Sequence, residues 1–333
     1  GTITVAGAAA IEGKVISSGN QEYDGDVTLS GNAEFDAGLA NVSFLGQVLG
    51  SGGSENLVID ANIAEFSGNV SDIKNLIVRG TSLVKGNVST SGDQSYEGLC
   101  TIGADVTFEA GTTGNPKTVV FGSPGMAQSV DAGTKAMTLK SNGIIYGENN
   151  FIDLKIDNSG FGVATNVEFE GGKLQKITAF SAKGSDSGNK LTLGSTDGSG
   201  TLKWDVYFGN VPVAANFSYV QVKNSRSLNV SGDAAKELGI VPGENTVVDA
   251  LPAGPSAISW FIHKYYWVGK SNSKWSDVAN WAFDQAGNLQ APVPGVDNGL
   301  SEIILNKVDG GYDLELEDEV TPLADPKVLK LKN

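Results

Sequence analysis

Apolar and polar residues alternate over short runs through most of this chain. The runs include Val27-Leu29, Val42-Phe44, Leu57-Ile59, Leu76-Val78, Val88 and Cys100-Ile102. A period of two places successive side chains on opposite faces of an extended strand, so each run predicts a half-buried β-strand. Turn signals separate them: Ser30-Gly31-Asn32, Gly50-Ser51-Gly52-Gly53, Ser67-Gly68-Asn69 and Ser91-Gly92-Asp93. Further strands are predicted at 118–122, 136–140, 151–157, 163–169, 190–194, 201–208 and 217–223. A single helical turn is predicted, over Asp233 to Leu238, with Asp233 as its N-cap and Gly239 as its stop. Short, regularly spaced strands without intervening helices predict a β-solenoid or a β-sandwich.

An internal duplication favours the solenoid. Residues 13–38 align with 86–111 without a gap, at an offset of 73. Gly19/Gly92, Gln21/Gln94, Tyr23/Tyr96, Gly25/Gly98, Phe35/Phe108 and Gly38/Gly111 are identical pairs. Cys100 stands where Val27 stands, which reads it as a small buried hydrophobe. The offset spans several coils of about 20–25 residues each. Phe35 and Phe108 are expected to point inward, and Tyr23 and Tyr96 to hold equivalent places in their coils.

The pattern changes near residue 250. LPAGPSA at 251–257 carries two prolines and a glycine and is expected to be a linker. Beyond it Trp260, Phe261, Tyr265, Tyr266, Trp267, Trp275, Trp281 and Phe283 crowd together. Alternation returns at Glu302-Ile303-Ile304-Leu305 and continues to Leu331. The expected organisation is a solenoid over 1–250, a linker over 251–257, and over 258–333 a Trp-rich junction module with the start of a further β unit. The chain opens in mid-pattern at Thr2-Ile3-Thr4-Val5 and is expected to be a piece of a longer precursor.

Composition narrows the function. With 23 Lys+Arg against 38 Asp+Glu the chain carries −15, and only Arg79 and Arg226 are arginines. Such a surface repels phosphates and anionic lipid, so neither a nucleic-acid partner nor membrane insertion is expected. Abundant Gly (44 residues) suits a turn-rich β chain. One cysteine excludes an internal disulfide.

Two stretches carry a resemblance. The paired Gln-x-Tyr-x-Gly units at 21–25 and 94–98, with FIDLKIDNSGFGVATNVEFEGGKLQ from 151, look like coils of bacterial exported adhesins of the filamentous-haemagglutinin and autotransporter-passenger kind. The segment YYWVGKSNSKWSDVANW, followed by PVPGVDNGLSEIIL, resembles the Trp-rich unit that recurs between such stretches. The resemblance implies an all-β, right-handed parallel β-helix with a C-terminal Trp-rich β module, exported to the cell surface or secreted. It implies a structural or adhesive role. The partners expected are a glycan or protein of a host or cell surface, and adjacent repeats of the same precursor.

Reactive chemistry has little to stand on. A β-helix lyase needs a basic residue beside calcium-binding carboxylates, and neither arginine lies in an acidic stretch. His263 is the only histidine and no Gly-x-Ser-x-Gly elbow accompanies it. One histidine and one cysteine cannot build a His/Cys metal site. The turns at Asp186-Ser187-Gly188-Asn189 and Thr196-Asp197-Gly198-Ser199-Gly200 read as Asx turns, with calcium as the weaker reading. The acidic run Asp313 to Glu319 reads as a solvated strand face. Five Asn-x-Ser/Thr sites, at Asn41, Asn69, Asn87, Asn216 and Asn229, are assigned no function. No enzyme, catalytic residue, cofactor or metal is expected. The remaining candidates are Trp267, Trp275 and Trp281, as a dense hydrophobic plug or as aromatics that stack on sugar rings. The alternative to a structural or adhesive segment is a carbohydrate-binding or carbohydrate-processing β-helix.

Overall fold

A computed structural model describes residues 1–198, 202, 204–208, 216–227, 264–271, 277–282 and 302–305. The helical turn, the linker at 251–257, His263, Trp275, Asn229 and the acidic run all lie outside the described residues. Gly1–Arg226 falls in one compact unit and the described residues from Lys264 onward in another.

The first unit is a parallel β-solenoid. Among the described residues 28 strands belong to one hydrogen-bonded system that winds past three faces in turn, with Asn115–Pro116 folding back antiparallel on Val106–Thr112. Face one begins with Ile3–Val5, Gln21–Tyr23 and Asn41–Phe44, each in parallel register with the next. Face two takes Val48–Gly50, Val70–Ile73 and Val88–Thr90. Face three takes Asn56–Asp60, Asn75–Val78 and Gln94–Tyr96. Four longer strands, Ala9–Ile16, Val27–Asp36, Asn149–Asp157 and Leu174–Lys183, bend round the corner between faces two and three or one and two. No α-helix occurs among the described residues.

The inward residues stack in register. On face three the sequence is Val15, Phe35, Ile59, Val78, Tyr96, Phe121, Ile145 and Phe169. On face one it is Val5, Tyr23, Phe44, Phe66, Val84 and Ile102. Later coils are longer: Cys100 pairs with Val130, and Ile177 with Phe208. Coil length therefore strays on both sides of the expected range of about 20–25 residues. The step from Val84 to Ile102 falls below it, and the step from Ile177 to Phe208 rises above it. The extra length sits in corner loops, because the strands must keep the register that closes the core.

Two devices make the corners. Between faces one and two a glycine recurs at Gly7, Gly25, Gly46, Gly68 and Gly86, stacked coil on coil. A Cβ on Gly25 would lie 2.5 Å from the carbonyl carbon of Gly7, and one on Gly46 2.5 Å from that of Gly25. The residue after the glycine is often Asp or Asn, whose side chain accepts a backbone N–H from the next coil. Asp26 takes Gln47 N–H at 2.8 Å, Asn69 takes Asn87 at 2.9 Å, and Asn87 takes Thr107 at 2.8 Å. The same contact runs from Asn41 N–H to Asn20 at one corner, and from Asn56 N–H to Asn32 and Asp93 N–H to Asn75 at another, where the Asn75 side-chain amide also donates to Asn56 Oδ1. These bonds satisfy corner N–H groups that leave the sheet ladder. They also give Asn41, Asn69 and Asn87, three of the Asn-x-Ser/Thr sites, a structural task.

Phe35 and Phe108 both point inward and are fully buried, as are Tyr96 and Cys100. The duplicated segments, however, lie on different faces. Tyr23 is on face one and Tyr96 on face three, so the chain winds through three turns and two further faces between them. The expected equivalence is local and does not extend to the same face.

Candidate functional site

The second unit contains a three-stranded sheet. Lys264–Trp267 pairs antiparallel with Trp281–Ala282 and parallel with Glu302–Leu305. The strand at 302–305, where alternation resumes, thus lies in the same sheet as the two tryptophans. Trp267 and Trp281 face each other in register, edge to face at 5.1 Å, and are only 2% and 1% exposed. Asn280 ties the motif together. Its carbonyl accepts Val268 N–H at 2.8 Å and its side-chain oxygen accepts Ser271 N–H at 2.8 Å. Gly269 turns the chain between them at φ +58. The spaced Trp-x-Gly and Asn-Trp pairs are therefore two halves of one small core. A ring that stacks on a sugar must show a face to solvent, and neither of these indoles does. Trp275, the third candidate, is outside the described residues.

In the solenoid the polar interior consists mainly of amides and hydroxyls, with the Glu55 and Asp205 carboxylates also buried. Gln21 and Gln94 are fully buried, and each closes a network. Gln94 Nε2 donates to Val88 O, Thr90 Oγ1 and Glu109 O, and its Oε1 accepts the Tyr96 hydroxyl at 3.2 Å. Asn149 does the same further on, taking Val130 N–H and donating to Gln175 at 2.9 Å. Burial pushes the Tyr23 phenol up to about 12 and raises that of Tyr96 well above its ordinary value. Burial also pushes the Cys100 thiol up to about 12, the Ser82 hydroxyl opposing the shift. A thiol in that state is protonated at neutral pH and inert as a nucleophile.

Several surface carboxylates are engaged in ion pairs and turns. Lys14 bridges Glu34 at 2.9 Å and Asp36 at 3.0 Å, and holds the Asp36 carboxyl below its usual range. Lys85 does the same to Glu65 at 2.6 Å. Asp186 accepts the Asn189 side chain at 3.0 Å and the backbone N–H groups of Gly188 and Asn189, a closed Asx turn. Asp197 accepts Leu202 N–H at 2.5 Å. Among the described residues no three His, Cys, Asp or Glu side chains gather as metal ligands. Nor is any described helix long and apolar enough to cross a membrane.

The longer coils supply two loop shelves. On the corner between faces two and three, the loops at 112–117, 158–164 and 184–190 join edge to edge. Gly114 N–H donates to Phe161 O at 2.7 Å, and Gly162 N–H to Ser185 Oγ at 2.9 Å. On the corner between faces three and one, the Glu170 carboxylate gathers Gly125 N–H at 2.9 Å and Gly147 N–H at 2.7 Å. Gly171 N–H reaches Thr196 Oγ1 at 3.3 Å, and Leu202 beside it is 54% exposed. In sequence these segments read only as turns, because their lengths vary and nothing marks which corner each one shares.

No family model matches the chain, and neither the curated proteins nor the solved structures contain a match.

Proposed function

We propose that the chain is a structural and adhesive segment of a large secreted or cell-surface bacterial protein, a rigid β-solenoid that carries interaction loops and does no catalysis. The observation that carries this reading is the division of labour in the solenoid. Inward positions are filled by stacked apolar residues and self-satisfied amides, which rigidify the stack. The largest changes in length fall in loops at two corners, and the corner between faces one and two varies less. A rigid scaffold with variable loops is the usual arrangement of a binding surface. Polar, Gly/Ser/Thr/Asn-rich shelves suit a glycan or a protein loop through adaptable hydrogen bonding. The burial of Trp267 and Trp281 speaks against sugar stacking by those two rings and for their role as a hydrophobic core.

The test is a binding and turnover panel on the purified chain, using a glycan array, immobilised matrix proteins and a set of soluble polysaccharides. Binding is expected to weaken at least tenfold when the loops at 112–115 and 186–188 are replaced together by other turns of equal length. No polysaccharide is expected to be cleaved. Cleavage abolished by a single carboxylate substitution would sink this reading in favour of a carbohydrate-processing β-helix.

A further inference from the structure

Face three carries an apolar column on its outer surface. Its outward residues stand in register from coil to coil as Val58, Ile77, Ser95, Val120 and Ile144. All five are half-buried. The outer surfaces of the other faces differ. On face one the matching column is Glu22, Ser43, Glu65, Leu83 and Thr101. On face two Leu49 stands between Thr28 and Ser71. Strand propensity alone does not call for valine and isoleucine at such positions, because threonine meets it too, as at Thr28 and Thr101.

Two borders frame the column. Toward face two the polar side chains are occupied with the backbone. Asn75 accepts Asp93 N–H at 2.9 Å, Asp93 accepts Thr118 N–H at 2.8 Å, and Asn142 accepts Asn166 N–H at 2.9 Å. The other side and both ends carry charge. Glu34 precedes Val58 in the column and Glu168 follows Ile144. Asp60 and Glu97 lie two residues on from Val58 and Ser95, and so on the same outer surface. Arg79 stands between them, facing Asp60 at 3.7 Å. The frame is net negative.

We propose that this column is a docking surface for a basic amphipathic α-helix of a partner protein, laid along the solenoid axis. Val58 to Ile144 is four coil steps, or about 19 Å at about 4.8 Å per step, a length that a helix of about 13 residues spans. The helix pitch of about 5.4 Å lies close to the coil spacing, so apolar residues one turn apart meet successive rungs. An added strand has no such seat. Asn75–Val78 and Thr118–Phe121 are each bonded to a strand on both sides. An extended segment laid on this face therefore finds no backbone partner, whereas a helix satisfies its own N–H and C=O groups. Lysines or arginines flanking the apolar stripe of the helix complement Glu34, Asp60, Glu97 and Glu168. The column lies apart from the loop shelves at the corners, so it binds whether or not they do.

The probe is a synthetic leucine–lysine peptide of about 14 residues with its leucines on one helical face, titrated against the full chain. Binding is expected to be accompanied by helix formation in the peptide and to weaken as salt is raised. The combined substitution Ile77→Thr, Val120→Thr and Ile144→Thr keeps β-branched residues in the strands and should weaken binding about tenfold or more. Glu97→Lys changes an exposed side chain and leaves the column intact; it should weaken binding about threefold or more. Leu83→Thr on face one, and replacement of the loops at 112–115 and 186–188, should leave it unchanged. A parent chain that does not bind, or a triple variant or Glu97→Lys variant that binds as the parent does, would overturn the proposal. So would an equal loss from Leu83→Thr or from the loop replacement, and so would equal binding of a leucine–glutamate peptide of the same pattern.

Discussion

The two copies of the duplicated segment make the same contacts on different faces. In the first, Tyr23 lies edge to face with Phe35 at 5.2 Å and stacks on Phe44 at 5.3 Å, and Phe35 meets Phe44 edge-on at 5.0 Å. In the second, Tyr96, Phe108 and Phe121 repeat this with 5.4, 5.2 and 5.1 Å. The amide network is copied atom for atom. Gln21 donates to Val15 O, Ser17 Oγ and Asp36 O, and Gln94 donates to their counterparts, Val88 O, Thr90 Oγ1 and Glu109 O. Yet every element has moved round by one face: Phe35 lies on face three and Phe108 on face two. The segment therefore encodes a wedge of core and its corner, and any of the three faces can hold it. A solenoid built this way can duplicate stretches that are not whole turns and still close its core.

The aromatic wedge offers the sharpest break. Phe35→Ala and Phe108→Ala should each lower the unfolding free energy by about 3–5 kcal/mol, the range for truncating a fully buried phenylalanine. Denaturant melts of the two variants should agree within about 1 kcal/mol of each other, since both rings fill the same three-aromatic contact. A loss at Phe108 several-fold larger than at Phe35 would show that the face matters as much as the wedge.

This comparison also marks what can be read from sequence. Alternation reveals the strands, and the internal duplication reveals the inward direction of Phe35 and Phe108, because both are short-range properties of the chain. The face of each strand is not short-range. It depends on the summed lengths of all earlier corners, and excursions such as 111–117 shift that sum without changing any strand. The step from Tyr96 to Phe121 is accordingly longer than the matching step from Tyr23 to Phe44. The recurring Gly-Asx corner at Gly25-Asp26, Gly68-Asn69 and Gly86-Asn87 is visible in sequence only as a series of turn signals. Its stacking role needs the neighbouring coil to be seen. The tryptophans stand out by rarity, but Asn280, which joins their two strands, has no signal beyond its place before Trp281.

The amide network should weaken less when cut. Gln94→Ala removes three donated bonds and leaves the Tyr96 hydroxyl buried without its acceptor, at a cost of about 1–3 kcal/mol. Gln21→Ala should cost a similar amount. Tyr96→Phe in the Gln94→Ala background should recover part of the loss, because the stranded hydroxyl is then gone. A double variant that is weaker than Gln94→Ala alone would mean the hydroxyl has another partner.

The smallest effect at neutral pH, and the most selective one, is expected where the copies differ. Val27 of the first copy is Cys100 in the second, and both are fully buried. Cys100→Val should change stability at pH 7 by less than about 1.5 kcal/mol, as a swap of similar volume. The difference should appear in alkali. In the unfolded chain the thiol ionises near pH 8.5, whereas burial holds it at about 12 in the fold. Between those values the unfolded state has given up a proton that the folded state keeps, so stability falls as pH rises through this window and is constant below it. The slope approaches about 1.4 kcal/mol per pH unit for one such group. Tyr23, raised by burial, adds an alkaline loss that is unchanged in the variant, whereas Tyr96, raised first by burial and then by Cys100, loses the second of these causes when the thiol is removed. Subtracting the variant's stability profile from that of the parent leaves the thiol and its coupling to Tyr96: a line flat to about pH 8.5 that then descends. Parallel profiles from pH 8 to 11 would show that Cys100 ionises in the fold as readily as outside it, and that its pocket is not the sealed site that Val27 occupies.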